Sequence, residues 1–475
     1  MTIGLEGFEG ALKDAALELK SINRSETIKL VSNLDADGIT AASIIVKVLE
    51  RENFSYNLAI LHQLKENFAR DLASEDYGTF IFCDLGSGQL KSINKHFRGK
   101  KVFVLDHHEI QGEPAQNVTH INPHSFGFDG SSEVSAAGVC FFFARSMGED
   151  NEDLAHLAVI GAIGDVQEKN GFKGLNRVIL EIAEKKGKIK VERGLKLFGL
   201  ETRPLIKLLL YSSDLEIPGV SNDEAGVIVF LKEIGVNPLE PRNRWKSYYD
   251  LSEKQRKDLA SKIILKRKEA SIPYAEDVFT NVYKLPGEKR GQFRDAKEFS
   301  TLLNSCGRMD NAGLGIGACL GDEKQKRKAL KGLLEYKRTL IDAMSWYKAN
   351  KGDPSRVTKG KNYIIINARS EVLATVVGTI ASMITKNGDA GRDTFVLSMA
   401  RNIDDTTKVS LRVSNNPAGV DLKAIVSEVT SVVGGEAGGH QYAAGAIIAT
   451  EREDAFIEVA KEVFNRHTEH NKKKN

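Results

Sequence analysis

Cysteine is scarce in this 475-residue chain: Cys83, Cys140, Cys306 and Cys319 are the four, and none stands in a CxxC pair. That excludes a disulfide framework, a zinc ribbon and a paired redox motif, and leaves the four as reduced, mostly buried side chains. A long hydrophobic run is also missing. The longest, around Ala136 to Ala144, is about half of the ~18 residues that a membrane-spanning helix needs. The opening stretch MTIGLEGFEGALKDAALELK carries acidic residues and places Leu5, Phe8, Leu12 and Leu19 on one helical face, unlike a signal peptide. The expectation is a cytoplasmic protein with no membrane partner. An excess of charge of one sign is absent too, since 67 Lys and Arg against 64 Asp and Glu leave +3. Nucleic-acid binding has to be argued from how the charge is distributed.

What is present is a globular composition, 41% hydrophobic and 28% charged with 21 Phe, in a chain longer than one hydrophobic core usually supports. From Ile28 to about Asp165, short β-branched runs (IKLVSN, NLAIL, TFIFCD, KKVFVLD, VTHIN) alternate with helical patterns such as AASIIVKVLE. This is the signature of a parallel sheet with crossover helices, whose ligands gather at the carboxyl ends of the strands. The pattern turns helical over about 191–270. β character returns after about 275 in YKLPG, YIIINA, TFVLSMARN, KVSLRVS and AGAIIATE. The reading is an α/β protein: a parallel-sheet domain with flanking helices over 1–190, a helical middle region over 191–274, and a second α/β domain from 275–320 and 351–465. Residues 321–350 form a helical insertion with an apolar stripe of Leu330, Leu333, Leu334, Leu340, Ile341 and Met344. Residues 466–475 form a basic tail.

Carboxylates collect at the predicted strand ends. Asp35 and Asp37 follow the first strand in SNLDADG, Asp84 closes FIFCD, Asp106 precedes His107 and His108, and Asp165 follows LAVIGAIG. Any one of these reads equally as a helix cap or a turn residue. Four separated acidic clusters and two adjacent histidines at one rim read as a metal site. The mixture is too rich in nitrogen for a pure magnesium or calcium cage and too rich in carboxylate for structural zinc. It suits two divalent cations, Mn²⁺ ahead of Mg²⁺. Such a pair clamps a phosphoryl oxygen and generates hydroxide, the chemistry of phosphodiester hydrolysis.

DADG at 35–38, FCDLG at 82–86, LDHHE at 105–109 and GAIGD at 161–165 resemble, in this order, the DHH phosphoesterase family. GGEAGGHQYAAGA at 434–446, preceded by SLR at 410–412, resembles a DHHA1-type second domain, and LLNSCGRMDNAGLGIG resembles the archaeal RecJ-like members. The resemblance implies that Asp35 holds one metal, that Asp37, His107 and Asp165 hold the other, and that Asp84 bridges them. His108, with Asp106, is then the catalytic group beside the scissile phosphate. The family usually has a His two residues before the first Asp. This chain has Asn33 there, a weaker ligand whose site would be more loosely occupied and more tolerant of Mg²⁺.

Candidate substrate contacts fall in five places. Ser131, Ser132 and Ser135 precede or open the predicted helix AAGVCFFFA, where free backbone donors hold a phosphate or the serines merely cap. Gly438 and Gly439 allow close approach and present His440 at a turn, while Arg412 supplies a fork suited to phosphate. Asn304 and Arg308 are placed in the same domain, Arg308 binding a phosphate or pairing with Asp310. Residues 241–270 hold ten Lys or Arg against four Asp or Glu, with Trp245, Tyr248 and Tyr249 among them, and 321–350 hold eight against four, with Trp346 and Tyr347. These are strand-binding patches, or solvated helix faces whose aromatics are buried.

By resemblance the function is exonucleolytic hydrolysis of single-stranded DNA or RNA in replication or repair, with a GINS-type replication protein as partner. The alternatives are a phosphodiesterase of short oligonucleotides or cyclic dinucleotides, and a replication scaffold without activity.

Overall fold

The computed structural model describes residues 4–212, 214–240, 244–386, 389–414 and 420–472. The chain divides into two compact units, Met1–Leu333 and Leu334–Asn475.

In the first unit, helix α1 (Leu5–Lys20) buries Phe8, Leu12 and Leu19 but leaves Leu5 exposed. It leads into β1 (Thr27–Asn33), α2 (Ala36–Arg51), β2 (Ser55–Leu61), α3 (Glu66–Ser74), β3 (Thr79–Cys83), α4 (Leu90–His96), β4 (Lys101–Leu105) and β5 (Val118–Ile121). The five strands form one parallel sheet in the order β2-β1-β3-β4-β5. The inner strands are buried along their length, the pattern of a sheet covered on both faces. The register pairs Asn33 with Leu61, Cys83 with Leu105, and Leu105 with Ile121. The residues that follow β1, β3 and β4 therefore emerge together at one rim.

Helices α5 (Ala136–Met147) and α6 (Ala155–Gly164) pack against α2, and α7 (Gly174–Lys185) follows. Next come β6 (Lys190–Leu195), α8 (Leu205–Leu210), α9 (Glu224–Glu233), α10 (Glu253–Glu269) and β7 (Phe279–Lys284). β6 pairs antiparallel with β7, and the helices between them surround their own core of Leu205, Leu209, Ile217, Phe230 and Ile263.

The sequence reading assigns 275–320 to the second domain, and the structure corrects this. Helices α11 (Ala296–Arg308) and α12 (Ala312–Cys319) lie in the first unit, packed on α2, and α11 also packs on α6. The reason is a close approach between distant parts of the sequence: a Cβ on Gly307 would stand 1.7 Å from the carbonyl oxygen of Leu34, so only glycine permits it. Helix α13 (Glu323–Asn350) begins in the first unit and ends in the second. Its apolar stripe also differs from expectation. Leu333 and Met344 are buried with Tyr336, Ala343 and Tyr347, whereas Leu334 and Ile341 are exposed.

The second unit continues with β8 (Val357–Lys359), β9 (Tyr363–Asn367), α14 (Val377–Lys386), β10 (Phe395–Arg401), β11 (Thr406–Val413), α15 (Leu422–Val433), β12 (Glu436–His440), β13 (Ala443–Ala449) and α16 (Glu453–Lys472). Its six strands form a mixed sheet in the order β12-β13-β11-β10-β9-β8. The core of this unit is built from Leu397, Met399, Leu411, Ile425, Val429, Phe456 and Phe464. Among the described residues no helix is long and apolar enough to cross a membrane.

Candidate metal centre

The rim of the parallel sheet gathers the acids. Asp35 caps α2, its Oδ1 accepting from the amide of Gly38 at 3.0 Å. A Cβ on Gly38 would lie 2.4 Å from the carbonyl oxygen of Asn33, so this turn closes only with glycine. Asp37, in the first turn of α2, is fully buried, and its carboxylate accepts from the amides of Ala136 at 2.7 Å and Ala137 at 3.0 Å. Those amides are the free donors at the start of α5. Asp84 follows β3 with φ 58°, a left-handed conformation that Asp tolerates better than most residues.

His107 decides what the cluster can do. Its Nδ1 donates to the carbonyl of Gly130 at 2.6 Å, which leaves the lone pair of the neutral ring on Nε2. Nε2 stands 3.4 Å from Asp84 Oδ1, 3.4 Å from Asp165 Oδ2 and 3.9 Å from Asp37 Oδ2. Both Nε2 and Asp84 Oδ1 are buried without a hydrogen-bond partner. A lone pair facing three carboxylates is repulsive unless a proton or a cation lies between them. One ligand atom from each of Asp37, His107 and Asp165 falls within 4.8 Å of the others, and so does one from each of Asp84, Asp106, His107 and His108. Oxygen and imidazole donors in two overlapping sets sharing His107 fit divalent cations.

The protonation equilibria report the same crowding. Burial, then the charge of Asp35, pushes the Asp84 carboxyl well up. Burial and the neighbouring Asp37 do the same to Asp165. Burial raises Asp37 against the opposing pull of His107. Burial would lower His107, but Asp84, Asp165 and Asp37 outweigh it and hold the imidazolium well above its ordinary range.

Asp106 is different. Burial opposes its charge, yet His108 and His107 together with backbone donors hold its carboxyl well below the usual range. Its oxygens accept from the amides of Ser87 at 2.9 Å and His107 at 2.8 Å and from His108 Nδ1 at 2.8 Å. It orients His108, whose side chain is 36% exposed.

Several supporting residues escaped the sequence reading. Gln167 donates to the same Gly130 carbonyl at 2.9 Å and accepts from Asn176 at 2.6 Å. Asn122 ties Ser87 to the carbonyl of His108. Gly161 leaves room for the acid, because a Cβ there would come within 2.5 Å of Asp37 Oδ1. Glycine in GAIGD signals close approach, but not what approaches.

Asp35 falls in neither ligand set, although its charge bears on Asp37, Asp84 and Asp165. Asn33 turns its Oδ1 to the amide of Leu34 at 2.6 Å. Asn304, expected in the second domain, accepts from the amide of Ala36 at 3.0 Å and so braces the DADG turn. Arg308 ends α11 in the same unit.

Ser131 and Ser132 donate to Asp129 at 2.7 and 2.6 Å, and Ser135 caps α5. The anion cradle expected at α5 is instead filled by Asp37. In the second unit, Arg412 donates to the carbonyls of Leu411 at 2.7 Å and Ala444 at 3.3 Å and to Ser382 at 3.0 Å. Gly438 and Gly439 lie inside β12, where the space beside Gly439 is taken by Ala443 of its own hairpin. The side chain of His440 lies outside the described residues. Of the expected stacking aromatics, Tyr347 is buried, Trp346 donates to Glu371 at 2.7 Å, and Tyr248 and Tyr249 pack on the helical core. Trp245 is 51% exposed.

The sequence matches the DHH family, N-terminal domain, over residues 28–163, the DHH-CID domain over 197–277 and the DHHA1 domain over 360–466. An uncharacterized protein of Methanocaldococcus jannaschii is 29% identical over 457 residues, 94% of this chain and 96% of that protein. The single-stranded-DNA-specific exonuclease RecJ of Bacillus subtilis is 27% identical over 166 residues, 33% of this chain and 21% of RecJ. Among solved structures, RecJ of Thermus thermophilus in complex with Mn²⁺ is similar with TM-score 0.58 and 16% identity, over 98% of this chain and 56% of that one. CDC45 of Entamoeba histolytica is similar with TM-score 0.65 and 12% identity, over 96% of this chain and 99% of that one. The chain thus spans about half the length of the Thermus RecJ and about a fifth of the Bacillus one. It carries matches to the DHH, DHH-CID and DHHA1 domains in this order, and its fold is similar to those of RecJ and CDC45.

Proposed function

We propose that the chain is a cytoplasmic, divalent-cation-dependent exonuclease that shortens single-stranded DNA or RNA in replication or repair. The observation that carries the reading is the buried pair of orphaned atoms, His107 Nε2 and Asp84 Oδ1, 3.4 Å apart. Asp37, Asp84, Asp165 and His107, with Asp35, would hold two divalent cations, Mn²⁺ in preference to Mg²⁺. Bound there, the cations would supply Lewis-acid polarisation of the phosphate and activation of water. Gly130 fixes the His107 tautomer so that Nε2 faces the acids. Asp106 holds His108 through Nδ1, which directs the opposite edge of that ring to deliver a proton to the leaving oxygen. Arg412 and the Gly438–Gly439 strand, with Arg308, are the candidates for substrate phosphates.

End-labelled single strands of DNA and RNA, long and dinucleotide, test this with Mn²⁺, Mg²⁺ or chelator, in wild type and Asp84→Ala. The expected result is metal-dependent shortening of long strands, lost in the variant. Cleavage of dinucleotides alone would instead assign a short-substrate phosphodiesterase. The CDC45 likeness, which covers 99% of that chain, favours one second reading: a replication scaffold that binds a GINS-type partner. No cleavage under any metal would leave that reading standing.

A further inference from the structure

Few members of the acid and histidine cluster reach solvent. The side chains of Asp37, Asp84, Asp106 and His107 are at most 3% exposed, whereas Asp165 is 22% and His108 36% exposed. Whatever comes to the cluster from solvent therefore meets Asp165 and His108 first. The chain makes a strained turn directly after Asp165. Helix α6 ends there with the Gln167 amide donating to the carbonyl of Ala162 at 2.9 Å and the Val166 amide to that of Ile163 at 3.1 Å. This pair of bonds closes a helix through one residue in the left-handed region, a place that glycine or asparagine usually takes. Here it is Val166, with φ 61°.

A β-branched side chain is among the least favourable choices for that position, because its two γ carbons crowd the backbone when φ is positive. Among the described residues other than glycine with φ in this region, Val166 is the one that is β-branched. Strain of this kind gathers at functional sites and persists where the surroundings hold it. Packing of the Val166 side chain offsets little of it, since the residue is 63% exposed. Its neighbours on both sides turn inwards, Asp165 Oδ2 to within 3.4 Å of His107 Nε2 and Gln167 to the Gly130 carbonyl at 2.9 Å. A stiff apolar group thus stands in solvent next to the acid through which the cluster opens. It has no donor to give a phosphate oxygen. What it can cover is the apolar part of a substrate, the sugar or the base of the nucleotide whose phosphate enters the cluster.

We propose that Val166 is a substrate-contact residue: its side chain packs on the nucleoside beside the scissile phosphate, and the strained turn holds it at the mouth of the cluster. The identity of the substrate rests on the nuclease reading. Two measurements keep the contact and that reading apart: anisotropy of a labelled single-stranded oligonucleotide in chelator, which needs no turnover, and cleavage of the same strand with Mn²⁺. Val166→Asn and Val166→Gly remove the apolar group and suit the turn. Both are expected to melt no lower than the wild type and to bind Mn²⁺ equally, yet to bind the strand about five- to tenfold more weakly, with KM raised alike and kcat little changed. Val166→Ile, which keeps a branched apolar group, is expected to bind as the wild type does. Weaker strand binding by these two variants, in a protein that cleaves nothing under any metal, would uphold the contact and remove the nuclease reading. Strand binding and KM unchanged in Val166→Asn and Val166→Gly overturn the proposal. So does a wild type that neither binds nor cleaves the strand, and so does a joint fall in melting temperature and Mn²⁺ affinity, which would make Val166 a support of the fold.

Discussion

The rim of the parallel sheet and the strand pair around Arg412 are both polar, yet they are polar in opposite ways. At the rim, Asp84 Oδ1 and His107 Nε2 are buried and face each other with no protein donor between them. On the second sheet, Arg412 spends its guanidinium on the carbonyls of Leu411 and Ala444 and on Ser382. Unmet hydrogen-bonding capacity marks a place built for something the protein does not itself supply, whereas met capacity supports the fold whatever else it does. The difference predicts that substitutions at the rim change cation binding and that substitutions at Arg412 change stability.

The largest effect is expected at Asp84. Asp84→Asn should lower hydrolysis by more than about a hundredfold and abolish the rise in melting temperature that Mn²⁺ gives the wild type. Its pH dependence sharpens the point. The Asp84 carboxyl is pushed above its ordinary value in the folded protein, so the native state holds its proton longer than the unfolded chain does. Stability then falls as pH rises beyond the ordinary carboxylate range. Without cations, Asp84→Asn should be the more stable protein at pH 8, and its advantage should vanish towards pH 4. A variant less stable than wild type at both pH values would mean that the rim is not strained by charge.

Gly161→Ala comes next. The added methyl would stand 2.5 Å from Asp37 Oδ1 and Thr40 Oγ1 and 2.6 Å from the Ala137 Cβ, inside a packed seam of α2, α5 and α6. Overpacking of this kind costs about 1 to 3 kcal/mol, readable by denaturant unfolding, with weaker Mn²⁺ binding because Asp37 is displaced. Gln167→Leu probes the support one step further out. Without the Gln167 donor the Gly130 carbonyl and the His107 ring are less firmly oriented, and Mn²⁺ affinity by calorimetry should drop about tenfold to a hundredfold. An unchanged affinity would show that the Gly130 carbonyl alone fixes His107.

The rim was legible because a parallel sheet converts separate sequence motifs into neighbours: Asp35, Asp84 and Asp106 each follow a strand, and the register aligns the strand ends. What lay hidden depends on contacts across long sequence separations. Nothing near Ser131 announces that the amides of Ala136 and Ala137 are already taken by Asp37, about a hundred residues earlier. Asn304 reads as one more polar residue in a glycine-rich string until α11 brings it to the amide of Ala36. The assignment of 275–320 to the second domain failed for the same reason, since Gly307 shows its purpose only against Leu34. The aromatics of the two basic patches left two readings open for another reason. Composition counts them alike, but Tyr347 is buried and Trp245 is not.

The smallest effect is expected at Arg412, and it tests the comparison from its other side. Arg412→Gln removes hydrogen bonds to two backbone carbonyls of its own sheet and to Ser382 of α14. A hydrogen bond of this type contributes about 1 kcal/mol net, and two carbonyls left without this donor add to the loss. The variant should therefore melt a few degrees lower, with Mn²⁺ affinity equal to that of the wild type. If Arg412 also clamps a substrate phosphate, the KM for a single strand rises while the metal-induced thermal shift stays constant, which separates the clamp from the scaffold within one protein. A loss of Mn²⁺ binding in Arg412→Gln would break the distinction, because it would tie the second sheet to the acids of the first.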